Sequence, residues 1–263
     1  MLKMRCCYRE KIYVCGDYME SHMYPVYRKA GVRRRKSKPS RECQKKLNQI
    51  RRENNCIRIV HANFTSQDMR LDLTYDPKHY PENDEQAKNE LTNFLKRVKR
   101  YRKKKGLPDL KYIAVTEKGK KNGRYHHHLI INGGLTPQEI VDLWGRGYVR
   151  TDALQFNEDG IADLVRYILK KPAISKKGWN SSKNLIHPHP KERDGRLSAR
   201  KIRELAKDTQ NNREYEKYYD GYYFSGANVV FNDTNGGVYI YARFYKKEAE
   251  FCSTVNRMKK RNR

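Results

Sequence analysis

The sequence lacks any long apolar run. Its longest purely aliphatic stretch is Leu129-Ile130-Ile131, far short of the roughly 20 residues that span a bilayer as a helix. It also lacks a C-x-x-C pair. The six cysteines (Cys6, Cys7, Cys15, Cys43, Cys56 and Cys252) are scattered, which argues against a disulfide framework. Reduced thiols in a cytoplasmic protein are the expectation, and a zinc site on Cys6, Cys7 and Cys15 is the weaker alternative. MLKMRCCYREKIYVC contains no apolar h-region and no small-residue cleavage site, so no secretory signal is expected. Acidic residues are scarce as well: 30 Asp+Glu stand against 58 Lys+Arg, a formal charge of +28. Hydrophobic residues make up 37% of the 263. A modest core in one large domain or two small ones is therefore expected.

What the chain does have is positive charge and tyrosine. A pI near 9.9 exceeds what solubility requires and points to a polyanionic partner. Nucleic acid is the first expectation, because the 20 tyrosines supply rings on which bases stack. A membrane surface is set aside, since no segment joins a basic face to the large apolar face of an interfacial helix. The cations come in blocks. Residues 28–52 hold 12 Lys/Arg and the single acid Glu42 around Gly31, Ser37, Pro39 and Ser40. This reads as a basic arm, partly flexible, with a short helix around 41–53. Residues 96–105 carry eight cations in ten, and residues 257–263 carry five.

Between the blocks the pattern is regular. Met69–Tyr75 alternates, with Leu71, Leu73 and Tyr75 on one face, and Asp76-Pro77 ends the strand. Residues 82–105 place Ala87, Leu91, Phe94, Leu95 and Val98 on one helical stripe. Lys111–Glu117 and Tyr125–Ile131 form a hairpin through Gly119 and Gly123. Thr136-Pro137-Gln138-Glu139 is a capping box with proline at the first helical position, opening a helix to Trp144. Tyr148–Leu154 is a strand, and residues 158–171 form a helix with Ile161, Leu164, Val165 and Ile168 on its apolar stripe, stopped by Pro172. This order predicts an α+β fold, an antiparallel sheet with flanking helices. A further hairpin around Asn235-Gly236-Gly237 is expected in the tyrosine-rich tail. The division expected is a basic segment at 1–57, a central domain at 58–205 and an extension at 206–263.

Chemistry centres on Tyr125-His126-His127-His128-Leu129. On a strand His126 and His128 share a face, about 7 Å apart, while His127 points the other way. Two imidazoles so placed can converge on one metal ion, with Glu117 of the preceding strand as a third ligand. Mixed nitrogen and oxygen donors suit Mn²⁺ or Mg²⁺ as well as Zn²⁺. A solvated histidine cluster is the bland alternative. Tyr167 lies on the flank of the last helix's apolar stripe, with Lys170 and Lys171 at i+3 and i+4. Alone, this is ordinary packing with snorkelling lysines. Beside a metal strand it has the parts for phenolate attack on phosphorus, because a divalent ion polarises the phosphate and an ammonium favours the phenolate.

These pieces resemble the HUH endonuclease superfamily of rolling-circle replication initiators. Leu71-Asp72-Leu73-Thr74-Tyr75 matches its first motif, His126-His127-His128-Leu129-Ile130-Ile131 its second, and Tyr167-Ile168-Leu169-Lys170 its third. More narrowly, the chain looks like replication-associated proteins of bacterial phages, plasmids and integrative elements. Arg9–Tyr13, Cys15–Tyr18, Asn63-Phe64-Thr65 and Trp179–Leu185 add to that likeness. Two features stand out: the middle of the second motif is His127 rather than an aliphatic residue, and the third motif has a single tyrosine. The resemblance implies an HUH, RRM-like core that nicks and rejoins single-stranded or cruciform origin DNA through a 5′-phosphotyrosine. Tyr167 and Lys170 would be catalytic, and His126, His128 and Glu117 would hold Mn²⁺ or Mg²⁺. DNA contacts are expected from Arg33, Arg34, Arg35, Lys103, Lys104, Lys105, Arg124 and Lys171. No G-x-x-x-x-G-K-[ST] motif follows the core, so a host helicase and polymerase are expected partners. The rivals are a relaxase or transposase with the same core and a non-catalytic basic module that binds single-stranded DNA or RNA.

Overall fold

The computed structural model describes residues 6–27, 41–119, 123–156, 161–170, 174, 178–209, 211–232 and 237–247. In chain order the strands are β1 (Cys6–Cys15), β2 (Tyr18–Tyr27), β3 (Met69–Leu73), β4 (Tyr112–Lys118), β5 (Tyr125–Ile131), β6 (Val149–Ala153), β7 (Asn180–Ser181), β8 (Lys191–Asp194), β9 (Tyr222–Asn232) and β10 (Gly237–Lys246). The helices are α1 (Arg41–Asn63), α2 (Asp84–Lys104), α3 (Pro137–Trp144), α4 (Ala162–Lys170), α5 (Ala199–Lys207) and α6 (Asn212–Glu216). The chain divides into two compact units, one from Asn63–Phe156 with Gly160–Ile186, the other from residues up to Ala62 and from His187 onward. Each contains a five-stranded antiparallel sheet. No helix among the described residues is long and apolar enough to cross a membrane.

The unit from Asn63 orders its strands β6-β3-β5-β4-β7, so the three patterned strands read from the sequence are its centre. Leu71, Leu73, Leu129 and Ile131 project to one face because alternate residues of a strand share a side. There they meet Leu91, Phe94 and Val98 of α2 and Ile140 and Trp144 of α3. α2 begins where the Asn83 side chain accepts from the Gln86 amide, with Asp84 and Glu85 in the first turn. α3 begins with the expected capping box, both of its reciprocal bonds formed, and ends at Gly145 with φ +56°. The other face carries Ile113, Val115 and Ile130, all buried.

The second unit has the order β8-β1-β2-β10-β9. Tyr8, Ile12, Met19, Met23, Ile240 and Phe244 pack with Ile202 and Leu205 of α5 and Tyr215 of α6. The hairpin expected in the tail is β9–β10, its tip at 233–236 lying outside the described residues. Residues 1–57 read in sequence only as basic; residues 6–27 of them are a full-length hairpin. β1 was illegible because Glu10 occupies a buried position. Arg196 Nη1 lies 3.0 and 2.9 Å from its two oxygens, and Ser21 Oγ donates to it at 3.2 Å. The β1–β2 turn uses Gly16 at φ +65°, where a Cβ would stand 2.8 Å from the His61 carbonyl oxygen. Of the expected arm, residues 28–40 lie outside the described residues, while 41–63 is one helix running past the expected 53.

Candidate catalytic face

Strand register builds the site. His128 of β5 stands opposite Asp72 of β3 on one side and Val115 of β4 on the other, and His126 stands opposite Glu117. Directly paired residues share a face, so Asp72, Glu117, His126 and His128 project together, away from α2 and α3. His128 Nδ1 lies 2.6 Å from Asp72 Oδ1, and a carboxylate only accepts, so Nδ1 carries a proton. His128 Nε2 faces Glu117 Oε1 at 3.2 Å. Both carboxylates and the imidazole are well covered, with 18%, 9% and 5% of the side-chain surface of Asp72, Glu117 and His128 exposed.

Arg70, two residues before Asp72, completes the group. Its Nη2 donates to Asp72 Oδ2 at 2.6 Å and its Nε to Oδ1 at 3.3 Å. Burial alone would raise the Asp72 carboxyl; the His128 bond and the Arg70 charge outweigh it and hold the group below the usual range. α4 brings in Tyr167, whose ring meets His128 edge-on at 6.4 Å between centroids. Arg70 Cζ stands 5.4 Å from the centroid of the same ring. Tyr167 is 49% exposed, so the phenol is open to a solvent-borne substrate.

His127 points the other way, as alternation requires. It is fully buried; Nε2 lies 2.6 Å from the Tyr75 hydroxyl and Nδ1 2.9 Å from Thr116 Oγ1. The Trp144 ring crosses it at 5.7 Å. Burial, reinforced by the charges of His128 and His126, pulls its imidazole down to about 3. His127 is part of the core that carries the site.

A divalent ion is implied by the resemblance. Among the described residues no three His, Cys, Asp or Glu side chains already surround one point. The donor chemistry nevertheless fits. With its proton on Nδ1, a neutral His128 aims the Nε2 lone pair at a carboxylate oxygen 3.2 Å away. That arrangement is favourable only with a proton or a cation between the two atoms. The carboxylate behind Nδ1 is also the usual support of a metal-binding histidine.

The other expected residues are distributed differently. Lys170 belongs to α4, but its side chain, like Lys171 and Arg33, Arg34 and Arg35, lies outside the described residues. Arg124 is exposed just before β5. Lys103, Lys104 and Lys105 lie at the end of α2, the helix packed on the face away from His128. Part of that basic block serves the fold. Arg102 is 1% exposed and gives its N–H groups to the carbonyls of Pro108, Asn132 and Gly133. Arg97 binds the carbonyls of Leu143 and Trp144, and Lys105 pairs with Glu139. Sequence reasoning missed Arg70 and Asp72 as site residues. Their signal was the polar half of the Met69–Leu73 alternation, which faces the histidines.

The fold and this face are those of a replication-associated protein domain: residues 69–172 match the family model described as Replication-associated protein ORF2. The match encloses Arg70, Asp72, Glu117, the three histidines and Tyr167. Among individual proteins, the chain is 26% identical over 154 residues to Replication-associated protein ORF4 of Chlamydia phage 1, covering 51% of this chain and 38% of that protein. The chain thus spans well under half the length of the curated relative it matches. No solved structure matches. Both findings bear out the resemblance to phage replication-associated proteins read from the motifs.

Proposed function

We propose that the protein initiates DNA replication by cutting one strand of an origin and holding the end covalently on Tyr167. The observation that carries this reading is the edge-on approach of Tyr167 to His128, 6.4 Å between rings, on a face where Asp72 and Glu117 bracket that histidine. Support also comes from the match of residues 69–172 to a replication-associated family and from the +28 charge.

The chemistry is a transesterification. Tyr167 Oη, losing its proton to solvent or a nearby base, forms a bond to the scissile phosphorus. The P–O3′ bond breaks, and the leaving oxygen takes a proton to become a 3′-hydroxyl that primes synthesis. The 5′ end stays as a phosphotyrosine, so attack by a 3′-hydroxyl rejoins strands without an external energy source. Mn²⁺ or Mg²⁺, held by His126, His128 and Glu117, supplies Lewis-acid polarisation of the phosphate. Asp72 fixes the His128 ring, Arg70 anchors Asp72 and sets a positive charge beside the phenol, and Lys170 adds a second cation. Single-stranded or cruciform DNA is the substrate, bound through phosphates by Arg124, Lys171 and the basic blocks. Unwinding and extension fall to a host helicase and polymerase.

The test is incubation of the protein with single-stranded origin DNA and Mn²⁺, followed by denaturing electrophoresis. A shifted, denaturant-stable band that disappears in Tyr167→Phe, and a phosphotyrosyl peptide at Tyr167 by mass spectrometry, are expected. An adduct on another residue overturns the nucleophile. DNA binding with no adduct under either metal moves the reading to a non-catalytic nucleic-acid-binding module.

A further inference from the structure

The unit bearing His128 has a second recess, remote from the Tyr167 face. It is a cleft of about 580 Å³ between α2 and the β4–β7 edge of the sheet, lined by Lys88, Leu91, Leu95, Tyr112, Trp179 and Asn180 among others. Tyr112 opens β4 and Glu117 lies near its far end. Five strand steps, roughly 17 Å, separate the two positions. They also face opposite sides of the sheet, since Tyr112 packs with the α2 core.

Its lining has the composition of a nucleotide site. Two half-buried aromatic residues, Tyr112 and Trp179, present ring faces beside the apolar floor of Leu91 and Leu95. Polar groups converge on the same space with nothing to bind. Among the described residues the Lys88 ammonium, the Tyr112 hydroxyl, the Trp179 indole N–H and the Asn180 amide make no hydrogen bond or ion pair. No lining residue is acidic, so an anion meets Lys88 without repulsion. Natural sites combine aromatic walls with a few convergent polar groups in this way. An apolar peptide would cover the rings but leave the ammonium and the amide unused.

We infer that this cleft takes one nucleotide of a single-stranded DNA chain, its base on Trp179 and Tyr112, its edge read by Asn180 and its phosphate on Lys88. The inference rests on the proposed DNA-handling role and places a base-binding subsite away from the scissile phosphate. Bases stack on aromatic side chains with little dependence on sequence, and Asn180 adds the means to prefer one base edge.

Trp179 reports on its own site, because the only other tryptophan, Trp144, is 1% exposed. The experiment uses the full chain carrying Tyr167→Phe, so no bond is broken, titrated with a short fluorescein-labelled oligodeoxyadenylate while anisotropy and tryptophan emission are followed together. Emission is expected to fall in step with binding. Trp179→Phe should abolish the fall and weaken affinity about tenfold. Lys88→Gln, at an exposed helical position that does not threaten folding, should weaken affinity several-fold while keeping the fall. DNA that binds by anisotropy with Trp179 emission unchanged overturns the inference. So does dAMP alone producing the same fall with the same affinity, which would make the cleft a site for free nucleotides. Failure of the cleavage reading has a separate signature, the absence of a Mn²⁺-dependent adduct on the wild-type chain.

Discussion

Asp72 and His128 face each other across β3 and β5 with Oδ1 and Nδ1 2.6 Å apart, and the same imidazole turns Nε2 towards Glu117. Asp72→Asn keeps the shape and removes the charge that fixes the ring and its tautomer. Supporting carboxylates of this kind are worth about 10- to 100-fold in metal affinity or activity. Adduct formation should fall by that factor while DNA affinity stays put. Single-turnover rates across a Mn²⁺ titration check this, and an unchanged rate would reduce Asp72 to a structural partner of Arg70.

His127→Ala should harm stability more than chemistry. The substitution opens a cavity beneath Trp144 and strips Tyr75 and Thr116 of a buried partner. A loss of roughly 2–4 kcal/mol is expected from those two causes. Protein that remains folded should still form adduct, since the side chain lies on the face away from Tyr167. Denaturant unfolding and adduct yield measured on the same sample separate the effects. A silent variant in unfolding that abolishes adduct would mean His127 reaches the substrate.

Acid should destabilise the unit built on β1 and β2 through His61. That imidazole is 7% exposed and stacks on Tyr18 at 4.0 Å, and burial, only partly offset by Glu20, pulls it down to about 4. Its folded value is below the unfolded one near 6.5, so the unfolded chain binds the proton first as pH falls. The stability is present above pH 6.5 and drains away between there and about pH 4. The cost between pH 7 and pH 5 is about 2 kcal/mol. Urea midpoints at the two pH values should differ accordingly, and His61→Phe should flatten the difference.

The block ending α2 gives a salt test. Lys103 and Lys104 are exposed, whereas Arg97, Arg102 and Lys105 are engaged within the fold. If both lysines touch phosphates, Lys103→Gln with Lys104→Gln should reduce the log affinity against log salt slope by about 1.4 on single-stranded DNA. Adduct formation on pre-bound DNA should be unaffected. An unchanged slope would identify them as a solvated surface.

Much of the fold was legible because the apolar half of each pattern was clean. Leu71 and Leu73, the α2 stripe, the Thr136 capping box and the 125–131 strand each declare a period, and the structure realises them in that order. The alternation also placed His126 and His128 on one side and His127 on the other. β1 did not declare itself because Glu10 sits in its buried row, satisfied by Arg196 from far along the chain. The charge of residues 96–105 misled in part, since a run of cations looks the same whether it meets phosphate or, like Arg102, caps backbone carbonyls. Arg70 and Asp72 went unread for a related reason. Polar residues on a strand look like solvent-facing residues until a second element covers that face, and nothing near Met69–Leu73 foretells that α4 will bring Tyr167 there.

That covering makes Arg70 the most informative substitution. The sequence placed a cation beside the phenol through Lys170, one helical turn from Tyr167. The structure adds Arg70 from the sheet, 5.4 Å from the Tyr167 centroid and bonded through Nη2 to Asp72 at 2.6 Å. Arg70 therefore has two roles, a positive charge near the attacking oxygen and an anchor for the carboxylate that orients His128. Arg70→Gln removes the charge and should slow adduct formation more than Lys170→Ala, whose charge acts alone. Arg70→Lys keeps the charge but loses the planar fork that reaches both Asp72 oxygens, so it should fall between wild type and Arg70→Gln. Rapid-quench adduct rates at saturating DNA give the order directly. Equal rates for Arg70→Lys and Arg70→Gln would mean that anchoring Asp72 is the whole role. Full recovery with lysine would mean that charge alone matters.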